Sequence, residues 1–214
     1  MMASGERQHP TLILVRHGET EGESSIRYHG RSDVALSDLG RRQMRSVRDA
    51  LDSAIAQSGN TQVFTTPLRR AHESAQIVAG HERVVAIEEF REVDFGVFEG
   101  LTADEIRERH PAEFERWMRE RMSPGYAYPG GESRAAFSER VARGVERMLR
   151  LWAPGRSAAP QAGLLVAHRG VIRTVARLLA EAEPTVELGS IQILELRERW
   201  LVQALDVTAH LTAD

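Results

Sequence analysis

Two histidines in this chain sit in matching surroundings. Arg16-His17-Gly18-Glu19-Thr20 follows the apolar run Leu12–Val15, and His168-Arg169-Gly170 follows Leu164–Ala167. An apolar run with β-branched residues fits a strand covered on both faces. The loop after such a strand is where open α/β sheets bind ligands. Imidazole beside guanidinium, with a glycine that lets the backbone come close, suits an oxyanion. In a parallel sheet both runs end on the same edge, so the two histidines can face one cleft. A helix expected just after His168 turns its free N–H groups the same way. A second short strand, Gln62–Thr65, runs into Thr66-Pro67-Leu68-Arg69-Arg70, and a third, Val84–Ile87, leads into Arg91-Glu92. The strand ends thus deliver two histidines, several arginines and one glutamate to one site.

The elements that must hold these residues follow from spacing. Ser37 is a good N-cap for a helix to about Gln57, with Met44, Val47, Leu51 and Ile55 on one face and Gly59-Asn60 as its stop. Pro67 opens a second helix, Leu68–Ala79, which Gly80 ends. The resulting β-loop-α-β-α-β order argues for a largely parallel sheet with helices on both faces. Residues 92–131 break the pattern. They contain irregular backbone, a short helix opened by the capping-box spacing of Thr102 and Glu105, another from Pro111 to near Arg121, and a Pro- and Gly-rich loop at Ser123–Gly131. A long helix over about Ser133–Trp152 carries Phe137, Val141, Val145, Met148 and Trp152 on one face. A linker at 154–162 leads to the strand Gly163–Ala167 and the helix Val171–Ala180. Two alternating strands, near Ser190–Leu196 and Trp200–Val207, close as a hairpin at Glu198-Arg199. The expected fold is a three-layer α/β/α sandwich, its mostly parallel central sheet having an antiparallel edge. A helical insertion at 92–131 lies over the strand C-terminal ends. The expectation is one domain over 1–214, with 1–10 as a flexible tail.

Composition narrows the chemistry. All 28 basic side chains among the 214 residues are arginine, and there is no cysteine. A Schiff-base lysine, a P-loop lysine, a thiolate nucleophile and a disulfide are therefore excluded. The net charge of −3 provides no general basic field for nucleic acid or membrane. No window approaches the length of an apolar membrane span. Residues 1–10 are polar, without the apolar core of a signal peptide. The expected setting is soluble and cytoplasmic, and no pattern in the sequence speaks to oligomeric state.

The motifs taken together resemble the histidine phosphatase superfamily, also called phosphoglycerate mutase-like, over nearly the whole chain and in order. Arg16-His17-Gly18-Glu19-Thr20 is similar to its signature pentad, Leu36-Ser37-Asp38-Leu39-Gly40 to its helix start, and Leu68-Arg69-Arg70-Ala71 to its L-x-R-A element. Phe90–Gly100 resembles the acid-bearing segment, Gly130-Gly131-Glu132-Ser133 the G-E-S turn, and Val166-Ala167-His168 the second histidine. The resemblance implies that Arg70, not Arg69, is the second site arginine and that Glu92 is the acid. Glu92 is followed by Val93-Asp94-Phe95-Gly96, closer to the phosphatase branch than to the mutases.

The implied reaction is hydrolysis of a small phosphomonoester, of sugar phosphate, phosphoglycerate or α-ribazole phosphate type. Arg16 and Arg70 clamp phosphate oxygens. Protonated His168 donates another hydrogen bond. Neutral His17 attacks phosphorus and becomes phosphohistidine. Glu92 gives its proton to the leaving alcohol and later takes one from water. Two histidines and a glutamate are ligands that zinc accepts, but the flanking arginines repel a dication. The site is read as metal-free, with no cofactor. Each residue has a plainer reading: Arg16 and Arg70 as surface ion-pair partners, the histidines as core residues, Glu92 as a solvated carboxylate. The whole protein likewise has alternatives, a phosphoglycerate mutase or a binding protein with a dead site.

Two positions depart from the family pattern. Glu23 stands where members often have a phosphate-contacting Asn. Either it contacts phosphate through an intervening Arg27, or it turns away and Ser24 or Ser25 offers the hydroxyl. Arg169 follows the second histidine in place of Gly, where it adds positive charge at the rim or pairs with Glu23. Tyr28 and His29 lie in the loop over the site. Arg69, His72, His9, His81, His110 and His210 have no motif context and are read as surface or structural.

Overall fold

A computed structural model describes residues 9–57, 61–80, 83–156 and 160–211, without the side chains of 53–57. Residues 1–8 of the expected tail, the Gly59-Asn60 stop, His81, the Ile55 side chain and the middle of the 154–162 linker lie outside the described residues.

The central sheet has six strands, β1 (Thr11–Arg16), β2 (Thr61–Thr65), β3 (Val85–Ala86), β4 (Ala162–Ala167), β5 (Ile191–Leu196) and β6 (Trp200–Val207), in the order β3-β2-β4-β1-β5-β6. The first four in that order are parallel, and β5 and β6 extend the sheet as its antiparallel edge. β1 and β4 are direct neighbours, with Arg16 paired to Ala167. The two histidines therefore leave the sheet side by side. β3 is shorter than the run Val84–Ile87 predicts. Among the described residues its one sheet partner is β2, and after Ile87 the chain tightens into a 3₁₀ turn over Glu88–Phe90.

Period-two alternation builds two cores. Leu12 and Leu14 of β1 face one layer with Leu165 and Ala167 of β4, against α5 (Arg134–Trp152) and α6 (Arg169–Ala180). Ile13, Val15, Leu164 and Val166 face the other layer, against Met44, Val47 and Leu51 of α1 (Asp38–Gln57) and Val78 of α2 (Arg69–Ala79). Ser37 caps α1, its hydroxyl accepting the Gly40 N–H at 3.1 Å. Gly18 and Gly40 face each other so closely that a Cβ on Gly18 would lie 2.5 Å from the Gly40 carbonyl oxygen. The loop after β1 is thereby seated on the first turn of α1.

The insertion holds α3 (Ala103–Arg109) and α4 (Pro111–Glu120) around a small core of Phe98, Ile106, Phe114, Trp117 and Tyr126. Thr102 and Glu105 form the expected capping box. The loop after β1 is pinned to this insertion: Tyr28 N–H donates to the Leu101 carbonyl at 3.0 Å and Gly100 N–H to the Tyr28 carbonyl at 2.8 Å. Among the described residues no helix is long and apolar enough to cross a membrane.

Candidate active site

At the C-terminal edge of β1 and β4 the chain encloses a cavity of about 770 Å³, lined in part by Arg16, His17, Ser24, Tyr28, His29, Glu92 and Arg169. Arg70 and His168 are fully buried, and the His17 and His168 rings meet edge-on with centroids 5.2 Å apart.

His17 Nδ1 lies 2.7 Å from the Gly18 carbonyl oxygen. A carbonyl only accepts, so Nδ1 carries the hydrogen and Nε2 keeps its lone pair. His168 is the N-cap of α6, in extended backbone conformation, and its Nε2 lies 3.0 Å from the Thr66 hydroxyl. The helix thus begins at Arg169, two residues earlier than its apolar pattern suggests. Its second residue must be small: a Cβ on Gly170 would lie 2.4 Å from Glu92 Oε1. Glu92 is held by two backbone donors, Val93 N–H to Oε1 at 2.9 Å and Gly170 N–H to Oε2 at 3.0 Å.

Both arginines are anchored through their terminal nitrogens. Arg16 donates to the carbonyls of Val186 at 3.1 Å and Ser24 at 3.4 Å. Arg70 donates to those of Ser32 at 2.7 Å, His29 at 2.8 Å and Gly30 at 3.1 Å. Among the described residues four buried nitrogens nearby have no protein partner: Arg16 Nε, Arg70 Nε, His168 Nδ1 and His29 Nδ1, the last of which is an acceptor because His29 Nε2 faces the Gly22 carbonyl. Native proteins rarely leave such donors unmade, because each costs about 1–3 kcal/mol. A donor set of this kind suits an oxyanion.

Burial lowers the Arg16 guanidinium to about 10, with Arg169 adding to the effect, and burial lowers Arg70 to about 10. Both stay cationic at neutral pH. The histidines move in the same direction. Burial, then Arg70, holds His17 and His168 well below the ordinary value. In the free protein this favours a neutral His168, whereas the sequence reading has it protonated against bound phosphate. An arriving phosphate dianion reverses the balance of charge and favours the imidazolium.

Glu23 requires a correction. It is exposed, at a φ of 59°, and its carboxylate accepts from Arg27 Nε at 3.2 Å instead of reaching toward the cavity. Arg27 also pairs with Glu105, which holds both groups to the insertion. The Arg169–Glu23 pairing is not formed, since Arg169 Nε donates to the Thr185 carbonyl at 3.1 Å. The Ser24 hydroxyl bonds Thr20 Oγ1 at 2.8 Å. Ser25 is exposed and meets Glu19 through its backbone N–H at 3.2 Å.

The family model of the histidine phosphatase superfamily (branch 1) matches residues 12–201. The chain belongs to that superfamily. A bifunctional protein of Mycobacterium tuberculosis is 34% identical over 202 residues, covering 90% of this chain but 52% of the relative. The chain thus spans about half the length of that relative. Phosphoserine phosphatase 1 of Hydrogenobacter thermophilus is 28% identical over 210 residues, covering 94% of this chain and 93% of that protein. The structure of a mycobacterial glucosyl-3-phosphoglycerate phosphatase is 25% identical, with a TM-score of 0.74, over 94% of this chain and 100% of that one.

Three residues of this superfamily member escaped the sequence reading. Thr66 faces His168, and its hydroxyl also accepts the Leu68 N–H at 3.1 Å. Arg140 on α5 donates to the carbonyls of Glu89 and Arg91, each at 2.9 Å, and pairs with Glu132 at 2.7 Å. It fixes the backbone on which Glu92 rides. Asp206 accepts the N–H groups of Thr185 and Val186, both at 2.8 Å, steadying the loop whose carbonyl holds Arg16. A polar residue directly after β2 was the available hint for Thr66, and the G-E-S glutamate was the hint for Arg140.

The buried histidines make a stability prediction. Their folded-state values are depressed below 6.5. Below that pH the unfolded chain takes up protons that the folded chain refuses. Stability is thus full above the unfolded value and falls as pH drops through it. The slope reaches at most about 1.4 kcal/mol per pH unit for each histidine that stays neutral in the folded chain, and the loss shows between about pH 7.5 and 5.5. Urea unfolding at the two pH values measures it, with phosphate expected to reduce the loss. Equal stability at both would refute the neutral pair.

Proposed function

We propose that the chain is a phosphomonoester hydrolase working through a phosphohistidine. The observation that carries this reading is the pair of unpartnered buried guanidinium N–H groups, on Arg16 and Arg70, with the unpartnered Nδ1 of His168, beside a His17 whose Nε2 lone pair is free. They are suited to phosphate oxygens, which accept in several directions at once. In the first step the Nε2 lone pair of His17 forms a bond to phosphorus. The phosphorus–oxygen bond to the leaving group breaks, and Glu92 supplies the proton that the departing oxygen takes. In the second step water attacks phosphorus, Glu92 takes its proton, and His17 is released. Each Glu92 oxygen accepts one backbone N–H, so each keeps a lone pair through which a proton can be passed. The guanidinium groups supply the charge neutralisation that a metal supplies elsewhere, and we read the reaction as metal-independent. The substrate is a small phosphorylated metabolite.

The test is release of inorganic phosphate from p-nitrophenyl phosphate between pH 5 and 8, with and without a chelator. Turnover that survives the chelator is expected. No turnover under any condition would favour a binding protein with a dead site. Net 2-phosphoglycerate from 3-phosphoglycerate with a bisphosphoglycerate primer, without free phosphate, would favour a mutase.

A further inference from the structure

The cavity continues beyond His17 and Glu92 along one face of α6. Arg169, Arg173 and Arg177 all line it, spaced four residues apart. A rise of about 1.5 Å per residue sets the second and third about 6 and 12 Å beyond the first. Among the described residues the one carboxylate lining this cavity besides Glu92 at the centre is Glu183. It meets Arg173 at 3.3 Å and Arg177 at 3.5 Å. Those three side chains are between 41% and 51% exposed, so the contacts are weak and readily exchanged. Arg169 is held by a neutral carbonyl. Three guanidinium groups answered by one carboxylate leave a surplus of two positive charges. That matches a phosphate dianion better than a carboxylate.

We propose that Arg173 and Arg177, with Arg169, hold a second phosphate carried by the leaving group. The preferred substrates are then small bisphosphorylated molecules, and α6 reads the phosphate that is not cleaved. The inference rests on the phosphatase reading above. A planar forked guanidinium on a rigid helix holds a phosphate in a fixed direction. Glu183 acts as a stand-in anion that the substrate displaces.

The experiment compares 1,6-hexanediol bisphosphate with hexyl phosphate, which share the scissile group and differ in the distal phosphate. Wild type is expected to favour the bisphosphate by at least about tenfold in kcat/KM, with the preference shrinking as salt rises. The double variant Arg173→Gln/Arg177→Gln brings the ratio toward one. Glu183→Gln shifts it the other way, a change of sign that a merely structural role for these residues would not produce. 6-Phosphohexanoate should gain less than the bisphosphate. Equal kcat/KM for bisphosphate and hexyl phosphate in wild type, or a ratio unmoved in the double variant, overturns the proposal. Hexyl phosphate turnover reports whether each variant is folded. If no ester is turned over, the phosphatase reading fails by itself. Calorimetry on the unaltered chain then decides: binding of the bisphosphate at least tenfold tighter than hexyl phosphate sustains the arginine ladder, and equal affinity refutes it.

Discussion

Replacing His17 by alanine is expected to cut turnover by about 10⁴-fold or more, since residues that act as one covalent unit fail together when the nucleophile goes. The loss should fall on kcat, with phosphate still bound, because Arg16, Arg70 and His168 keep their donors. The substitution removes one hydrogen bond to the Gly18 carbonyl, at a cost of about 1 kcal/mol, so the protein should stay folded. It also removes one of the two neutral buried imidazoles. The acid sensitivity of folding should therefore fall by about half, giving a readout independent of activity. In wild type, quenching during turnover under denaturing alkaline conditions should trap phosphate on His17, stable to base and lost in acid. Label on another residue would overturn the assignment of the nucleophile.

The candidate cluster could be read from the sequence because its parts sit at the ends of regular elements. Four apolar residues before Arg16 and four before His168 mark strands covered on both faces, and each histidine comes directly after its strand. Ser37 and Thr102 mark helix starts through their own hydroxyls, and both do cap. The Glu23–Arg27 pair was also local, at a spacing of four. What could not be read depends on pairing across the chain. The neighbouring of β1 and β4 joins residues about 150 positions apart, and periodicity within either strand has no information about its partner. Arg70 shows the same limit. Its family resemblance marks it as a site arginine, but its grip on the carbonyls of 29–32 exists only once α2 packs beneath that loop. Arg140 and Asp206 lie on a helix face and an edge strand, and only the G-E-S glutamate pointed to the first of them. They orient Glu92 and Arg16 through backbone groups distant in sequence. The protonation of His168 in the free protein lay beyond the sequence for a related reason. Its charge is set by complete burial beside Arg70, a property of the packed site and not of the residue type.

Glu92→Gln is expected to separate the two chemical steps. As general acid, Glu92 should be worth about 10²–10⁴ on alkyl phosphates, whose leaving oxygen needs the proton. With p-nitrophenyl phosphate the departing phenolate is stable unprotonated, so His17 can still be phosphorylated. Hydrolysis of the phosphohistidine then waits for a base that the amide cannot supply. The variant should show a burst of p-nitrophenol near one equivalent per site, followed by a slow steady rate, with phosphoenzyme accumulating. The amide also perturbs structure. Glu92 accepts from Val93 and Gly170 with separate oxygens, whereas glutamine has one acceptor and turns its NH₂ toward the other N–H. A stability loss of about 1–3 kcal/mol is expected, visible in urea unfolding. Destabilisation alone would lower burst and steady state together by reducing the folded fraction. Only loss of the base leaves a full burst and a slow second phase. Equal losses on alkyl and nitrophenyl esters, with no burst, would remove Glu92 from proton transfer and leave it a positioning residue for α6.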